Sequence, residues 1–229
     1  MKKLLLVLLP FLFLILPASG QEVAHYSPDD LGPFRKFDVS RDGRKLLVTT
    51  LQREEAILFD AITGKEIMRL KLRGNFIYNV FYDDVRNRYI IDYTDAVEIW
   101  DGGLFQVVNT IDKPFNSGPA EFSEVSNRIA FRDPLNFYFL NLETGQLAKR
   151  AQPLEQSGPA QPKFDVSGKY AFEINGNGIY RYSVSDYQDI LYIPYPNVIQ
   201  LAAHESSLFV VTSPGGNSAQ LEFLDIEGN

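Results

Sequence analysis

Chemistry in a chain of this composition would have to come from carboxylates. The 229 residues include two histidines, His25 and His204, and no cysteine. Thiol catalysis, thiolate metal sites and haem attachment through cysteine therefore have no residues to use. A Ser-His-Asp triad has only those two imidazoles to draw on, and no Gly-x-Ser-x-Gly elbow is present to seat a serine. Acidic pairs stand at Asp29-Asp30, Glu54-Glu55 and Asp83-Asp84. All fall among turn-forming residues, where carboxylates cap backbone N–H groups or face water. Carboxylate chemistry on a polymer stays open on these residues, but no constellation marks it. No Asp-x-Asp-x-Asp-Gly calcium loop occurs. Gly176-Asn177-Gly178 and Gly215-Gly216-Asn217 have the glycines of a phosphate loop, but neither leads into a helical pattern, so both read as hairpin turns. The expectation is a protein that is not an enzyme, with no cofactor and no metal site.

The elements that would carry any site repeat along the chain. Five segments alternate apolar residues and end in a small polar one. They are Ala56-Ile57-Leu58-Phe59-Asp60, Val97-Glu98-Ile99-Trp100-Asp101, Phe137-Tyr138-Phe139-Leu140-Asn141, Ile179-Tyr180-Arg181-Tyr182-Ser183 and Gln220-Leu221-Glu222-Phe223-Leu224-Asp225. Their ends at 60, 101, 141, 183 and 225 are 41, 40, 42 and 42 residues apart. Two strands and a tight turn precede each segment, as in Phe37-Asp38-Val39-Ser40-Arg41-Asp42-Gly43 leading to Leu46-Leu47-Val48. A turn such as Asp60-Ala61-Ile62-Thr63-Gly64 and a fourth strand follow. Each unit thus reads as a four-stranded antiparallel meander, apolar on both faces, that is buried only by stacking against its neighbours. The fold class expected is all-β, a β-propeller of four-stranded antiparallel blades in five repeats, with almost no helix.

Arg41-Asp42-Gly43, Trp100-Asp101 and Thr63-Gly64-Lys65 resemble the WD40 and YVTN-type propeller repeats, in which a Ser-Asp-Gly turn precedes a Trp-Asp strand end and a Thr-Gly-Lys turn. The resemblance covers essentially all of residues 22–229 and implies the same propeller fold.

Residues 1–20 lie outside this pattern. Lys2 and Lys3 precede an apolar run over residues 4–16, and Ala18-Ser19-Gly20 supplies small residues for cleavage, so a signal peptide removed after Gly20 is expected. The run is too short to span a bilayer and contains Pro10. The mature chain, 21–229, would then be secreted or periplasmic, with no further membrane insertion. It keeps 20 of the 22 basic residues against 29 acidic, a net charge of −9, which disfavours nucleic acid. The last repeat stops in the turn after Asp225, one strand short. Glu22-Val23-Ala24-His25-Tyr26 alternates like a strand, and Tyr26 precedes Phe37 by the eleven residues that separate Leu70 from Phe81. Residues 22–26 are therefore expected to close the ring by pairing with strand 220–225; the alternative is five repeats of a larger propeller.

Three functions fit such a chain: a monomeric binding scaffold for a protein, peptide or envelope component; a sensor or accessory domain of a longer chain that carries an enzyme; or a hydrolase or lyase acting on an extracellular polymer. The first leads. In a four-stranded meander the 2→3 turns and the links between units share one end. There the repeats diverge, from Leu51-Gln52-Arg53-Glu54-Glu55 to Arg132-Asp133-Pro134-Leu135-Asn136 and Ser213-Pro214-Gly215-Gly216-Asn217. Loops unconstrained by a fold often carry specificity, and Phe115 beside Lys113 has the aromatic-plus-cation makeup of interface hot spots. Arg73, Lys113, Phe115 and Arg132 are expected to border the partner's docking face.

Overall fold

The structure, a computed structural model, describes residues 34–50, 55–73, 76–115, 117–151, 161–175, 178–185, 187, 190–204, 207–213 and 219–225. None of these is helical; nineteen strands form five antiparallel sheets. The first holds β1 (Phe34–Val39), β2 (Lys45–Thr50), β3 (Glu55–Asp60) and β4 (Glu66–Lys71). The second holds β5 (Ile77–Asp83), β6 (Arg88–Tyr93), β7 (Ala96–Asp101) and β8 (Val107–Asp112). The third runs β9 (Glu121–Ser123), β10 (Arg128–Arg132), β11 (Asn136–Asn141), β12 (Leu147–Ala151), and the fourth β13 (Lys163–Phe164), β14 (Tyr170–Asn175), β15 (Gly178–Ser183), β16 (Ile190–Pro194). The last has three strands, β17 (Val198–His204), β18 (Ser207–Thr212) and β19 (Gln220–Asp225).

The small polar residue that ends the third strand has a local cause. Asp60 Oδ1 accepts the N–H groups of Ile62 and Thr63 at 3.0 and 2.7 Å, and Asp101 Oδ1 those of Gly103 and Leu104 at 2.8 and 2.7 Å. Asn141 Oδ1 does the same for Glu143 and Thr144. A short carbonyl-type side chain there folds the next three residues into a turn, and these N–H groups hold the Asp60 and Asp101 carboxyls below the usual range.

Alternation along each strand then decides which sheet meets which. Leu47, Leu58 and Leu70 of the first sheet pack on Tyr89, Ile91 and Trp100 of the second. The other face of the second, with Ile90, Val97 and Ile99, packs on Ile129, Phe131 and Leu140 of the third. Phe137 and Phe139 meet Phe164 and Tyr182; Phe172 and Ile179 meet Leu201, Leu208 and Val210. The three middle sheets are buried on both faces, so a charged residue in their strands must find a partner inside.

The sheets do not lie in a straight row. Their first strands touch, β1 on β5, β9 on β13 and β13 on β17. Arg41, in the first sheet's 1→2 turn, forms an ion pair with Glu124 of the third sheet's turn. Its backbone N–H also meets Asp84 Oδ2 at 2.5 Å, and Glu124 Oε1 accepts the Val85 N–H at 2.9 Å. Parallel stacking at about 10 Å per sheet would hold the first and third about 20 Å apart. The sheets therefore splay from converging first strands.

Closure by the N-terminal segment is not borne out. The last sheet has no fourth strand among the described residues, and no sheet is closed. Residues 22–26 lie outside the described residues, as do the leader, Asp29-Asp30, residues 51–54, Gly176-Asn177 and residues 214–218.

Gly168 shows how closely the turns meet. Its φ is +66°, and a Cβ there would lie 2.7 Å from Ser123 Oγ and 2.9 Å from Ser126 N in the neighbouring sheet's turn. Gly43 shares the conformation, φ +70°, with nothing within 4 Å. Gly43→Ala is expected to cost the backbone term alone, about 1–2 kcal/mol. Gly168→Ala is expected to cost more, and comparing the two by urea denaturation isolates the contact between turns.

Candidate functional site

Four loops at the link end are knitted into one ridge. The Phe76 carbonyl, in the link entering the second sheet, accepts the Thr94 N–H at 3.1 Å. The Asp95 carbonyl accepts the Lys113 N–H at 2.8 Å, and the Arg132 carbonyl accepts the Gly118 N–H at 2.7 Å. The first link, the second sheet's 2→3 turn, the next link and the third sheet's 2→3 turn are thus side by side.

Lys113 pins this ridge from below. Its side chain is fully buried, and Nζ donates to Asp92 Oδ1 at 2.7 Å and to the carbonyls of Tyr93 and Gly118 at 3.0 Å each. The rings of Tyr78 and Phe131 flank the ammonium at 5.2 and 5.0 Å. Asp92 Oδ2 accepts the Ala120 N–H at 2.8 Å, and Asn79 donates to the Ala120 carbonyl at 2.8 Å. Burial pushes the Asp92 carboxyl up and the Lys113 ammonium down, and their contact opposes both. Arg132 is also inside: it donates to Glu173 Oε1 at 2.5 Å across the junction of the third and fourth sheets, while Tyr182 donates to Oε2 at 3.0 Å. These two cations, expected at a docking face, are consumed by the packing of sheets on sheets. A cation buried in an ion pair is not available to a partner.

The other two expected residues lie at the surface. Arg73 is partly exposed, paired with Asp95 at 3.2 Å and lying over the Tyr93 ring at 5.7 Å. Phe115 is 89% exposed. It stands on a turn locked by Ser117, whose N–H and hydroxyl both donate to the Pro114 carbonyl, at 3.2 and 2.7 Å. Phe76, 53% exposed, shares the ridge and sits edge-on to Tyr78 at 5.5 Å. Leu135 projects from the third sheet's 2→3 turn, where Asp133 Oδ1 accepts the N–H groups of Leu135 and Asn136 at 2.7 and 2.6 Å. Burial pushes the Asp133 carboxyl up, but these bonds and the Tyr138 hydroxyl bring it below its usual range. Sequence reasoning missed Phe76 and Leu135 as surface anchors. The available signal was a large apolar residue inside a link or turn, outside any period-two run.

The carboxylates are engaged elsewhere. Asp83 is buried and paired with Arg88 at 2.7 Å, and Asp84 caps Arg41. Asp38 and Glu121, on the first strands of the first and third sheets, are both pushed up by burial. Asp38 accepts the N–H groups of Tyr82 and Val39 at 2.7 and 2.9 Å; Glu121 accepts Lys163 and Gln161 at 3.0 and 2.8 Å. His204 is exposed at the end of β17, and His25 lies outside the described residues. Among the described residues no group of three His, Asp or Glu could hold a metal ion. No protein-family model matches the chain, and no curated protein matches it.

Proposed function

We propose that this chain is an exported propeller-type scaffold that docks a polypeptide on the link end of its sheets. The observation that carries the reading is Phe115: an aromatic ring 89% exposed, on a turn held rigid by a fully buried lysine beneath it. Exposing a large apolar side chain is unfavourable, and here the loop beneath it is built to stay in place. Rigid aromatic anchors lose little conformational freedom on binding, which is how hot spots concentrate affinity. Phe76 and Leu135 extend the apolar ridge, and Arg73 with Asp95 forms its polar rim. The propeller arrangement is supported by the converging first strands and by the contact between the first and third sheets.

The test uses the mature protein with Phe76 and Phe115 both replaced by alanine. Both rings are exposed, so the melting temperature is expected to stay unchanged. Retention of polypeptide from a native envelope extract is expected to fall at least about tenfold, from hot-spot losses of roughly 2 kcal/mol or more per anchor. Undiminished retention would move the docking face to the opposite end or the rim. Lys113 and Arg132 are left intact, because altering them would confound binding with unfolding.

A further inference from the structure

The outer edges of the four-stranded sheets are not guarded alike. In each, the fourth strand is hydrogen-bonded on one side only among the described residues, so a second row of N–H and C=O groups faces outward. Such an edge is a template for another extended chain, and proteins block it with charged residues or proline. β4 carries Glu66, Arg69 and Lys71, with Arg69 tied to Glu66 at 2.7 Å and to Glu55 at 3.0 Å. β12 carries Lys149 and Arg150, and β16 ends in Pro194. β8 has neither charge nor proline over Val107-Val108-Asn109-Thr110-Ile111; its one charge, Asp112, stands at the last position. The strand is also exposed along its length. Val107 is 41% and Val108 56% exposed, and Asn109 and Thr110 are exposed as well. Adjacent strand residues point to opposite faces, so Asn109 and Thr110 leave β8 open on both sides as well as at its edge. Val108 is an extra residue at the start of the strand; from Asn109 to Asp112 the pairing with β7 is regular. The chain then runs into the link-end ridge, with the Lys113 N–H held by the Asp95 carbonyl at 2.8 Å and Phe115 just beyond.

We propose that the partner of the link end is an extended polypeptide segment, which adds to β8 as a fifth strand while its apolar side chains meet Phe115. This rests on the polypeptide-docking reading of the ridge and specifies the form that the partner takes. A row of backbone donors and acceptors at strand spacing is matched by another strand. A helix has already spent its backbone groups on itself, and a lipid surface offers no such repeat. Main-chain bonds along β8 supply affinity without reading sequence, and the ridge supplies the side-chain selection that they lack. Strand addition over so short an edge is weak by itself. Joined to the ridge through the same bound chain, the two contacts reinforce one another, because the first to form holds the second at high effective concentration.

Amide hydrogen exchange of the mature chain, followed residue by residue by NMR, tests this with a capped hexapeptide of alternating threonine and valine as the probe. The outward-facing amides of β8 are expected to slow about tenfold once nine-tenths of the chain is occupied, because exchange then proceeds only from the free tenth. The same peptide with every amide nitrogen methylated keeps its side chains but has no donors, and is expected to leave β8 unchanged. The edges of β4, β12 and β16 are expected to keep their free-state rates. Unchanged exchange along β8 up to the solubility limit of the peptide overturns the proposal. So does equal slowing by the methylated peptide, or equal slowing at the other three edges. The variant with Phe76 and Phe115 both replaced by alanine is expected to show the same protection of β8, because the probe is too short to need the ridge. Protection of β8 with undiminished retention of polypeptide by that variant would therefore sink the ridge alone. Lost retention with no protection of β8 would sink strand addition alone.

Discussion

Replacing Trp100 with alanine is expected to cost about 3–5 kcal/mol of stability, the range of buried-aromatic truncations. The indole is 7% exposed and fills the junction between the first two sheets against Leu47, Leu58 and Leu70. Its N–H donates to Glu98 Oε2 at 3.1 Å, an oxygen shared with the Tyr93 hydroxyl at 2.9 Å. Truncation therefore opens a cavity and removes one of two donors from a buried carboxylate. Trp100→Phe keeps most of the volume and loses only the donor, so its cost is expected to be nearer 1–3 kcal/mol. Urea denaturation followed by circular dichroism measures both, because the variants lack the chain's single tryptophan. A loss below about 1 kcal/mol for Trp100→Ala would contradict the packing described.

Lys113→Met is the second large effect, expected at about 3–5 kcal/mol at neutral pH, because it strands Asp92 as an unpaired buried charge. The double variant Lys113→Met, Asp92→Asn keeps an acceptor for the Ala120 N–H without the charge, and is expected to recover part of the loss. Burial already raises the Asp92 carboxyl with Lys113 present, and without it the value rises further. A carboxyl raised in the folded state favours folding at low pH and loses that contribution as pH climbs through its folded value. The deficit of the single variant should therefore shrink on acidification, and that of the double variant should not. Denaturation midpoints at several pH values distinguish the two, and equal deficits at every pH would rule out an unpaired carboxylate as the cause.

Sheet architecture was legible because period-two alternation and turn residues act locally. The all-β character and the four-stranded antiparallel sheets follow from such signals, and so does the polar residue at the third-strand ends of the first three sheets, where the side chain folds its own turn. Lys113 and Arg132 were misread because their partners are distant: Asp92 is 21 residues from Lys113, and Glu173 is 41 from Arg132. A cation in a loop resembles a solvated one until the carboxylate beneath it is known. A clue was present in Tyr89-Ile90-Ile91-Asp92-Tyr93 and Phe172-Glu173-Ile174. A lone acid in a strand whose sheet is buried on both faces has to be paired. The ridge of Phe76, Phe115 and Leu135 was half legible, since exposure of a loop aromatic depends on how neighbouring loops dock.

The Arg41–Glu124 pair also bears on how the molecule comes apart. A row of repeats that touch only their neighbours can unzip one unit at a time from either end. A contact that skips a unit ties the first sheet to the third as well as the second. Detaching the first sheet must therefore break this exposed pair as well as the packing of the first sheet on the second. The last sheet has no such tie among the described residues. The Phe115 ridge is thus mounted between the second and third sheets, within the group of sheets that this pair links.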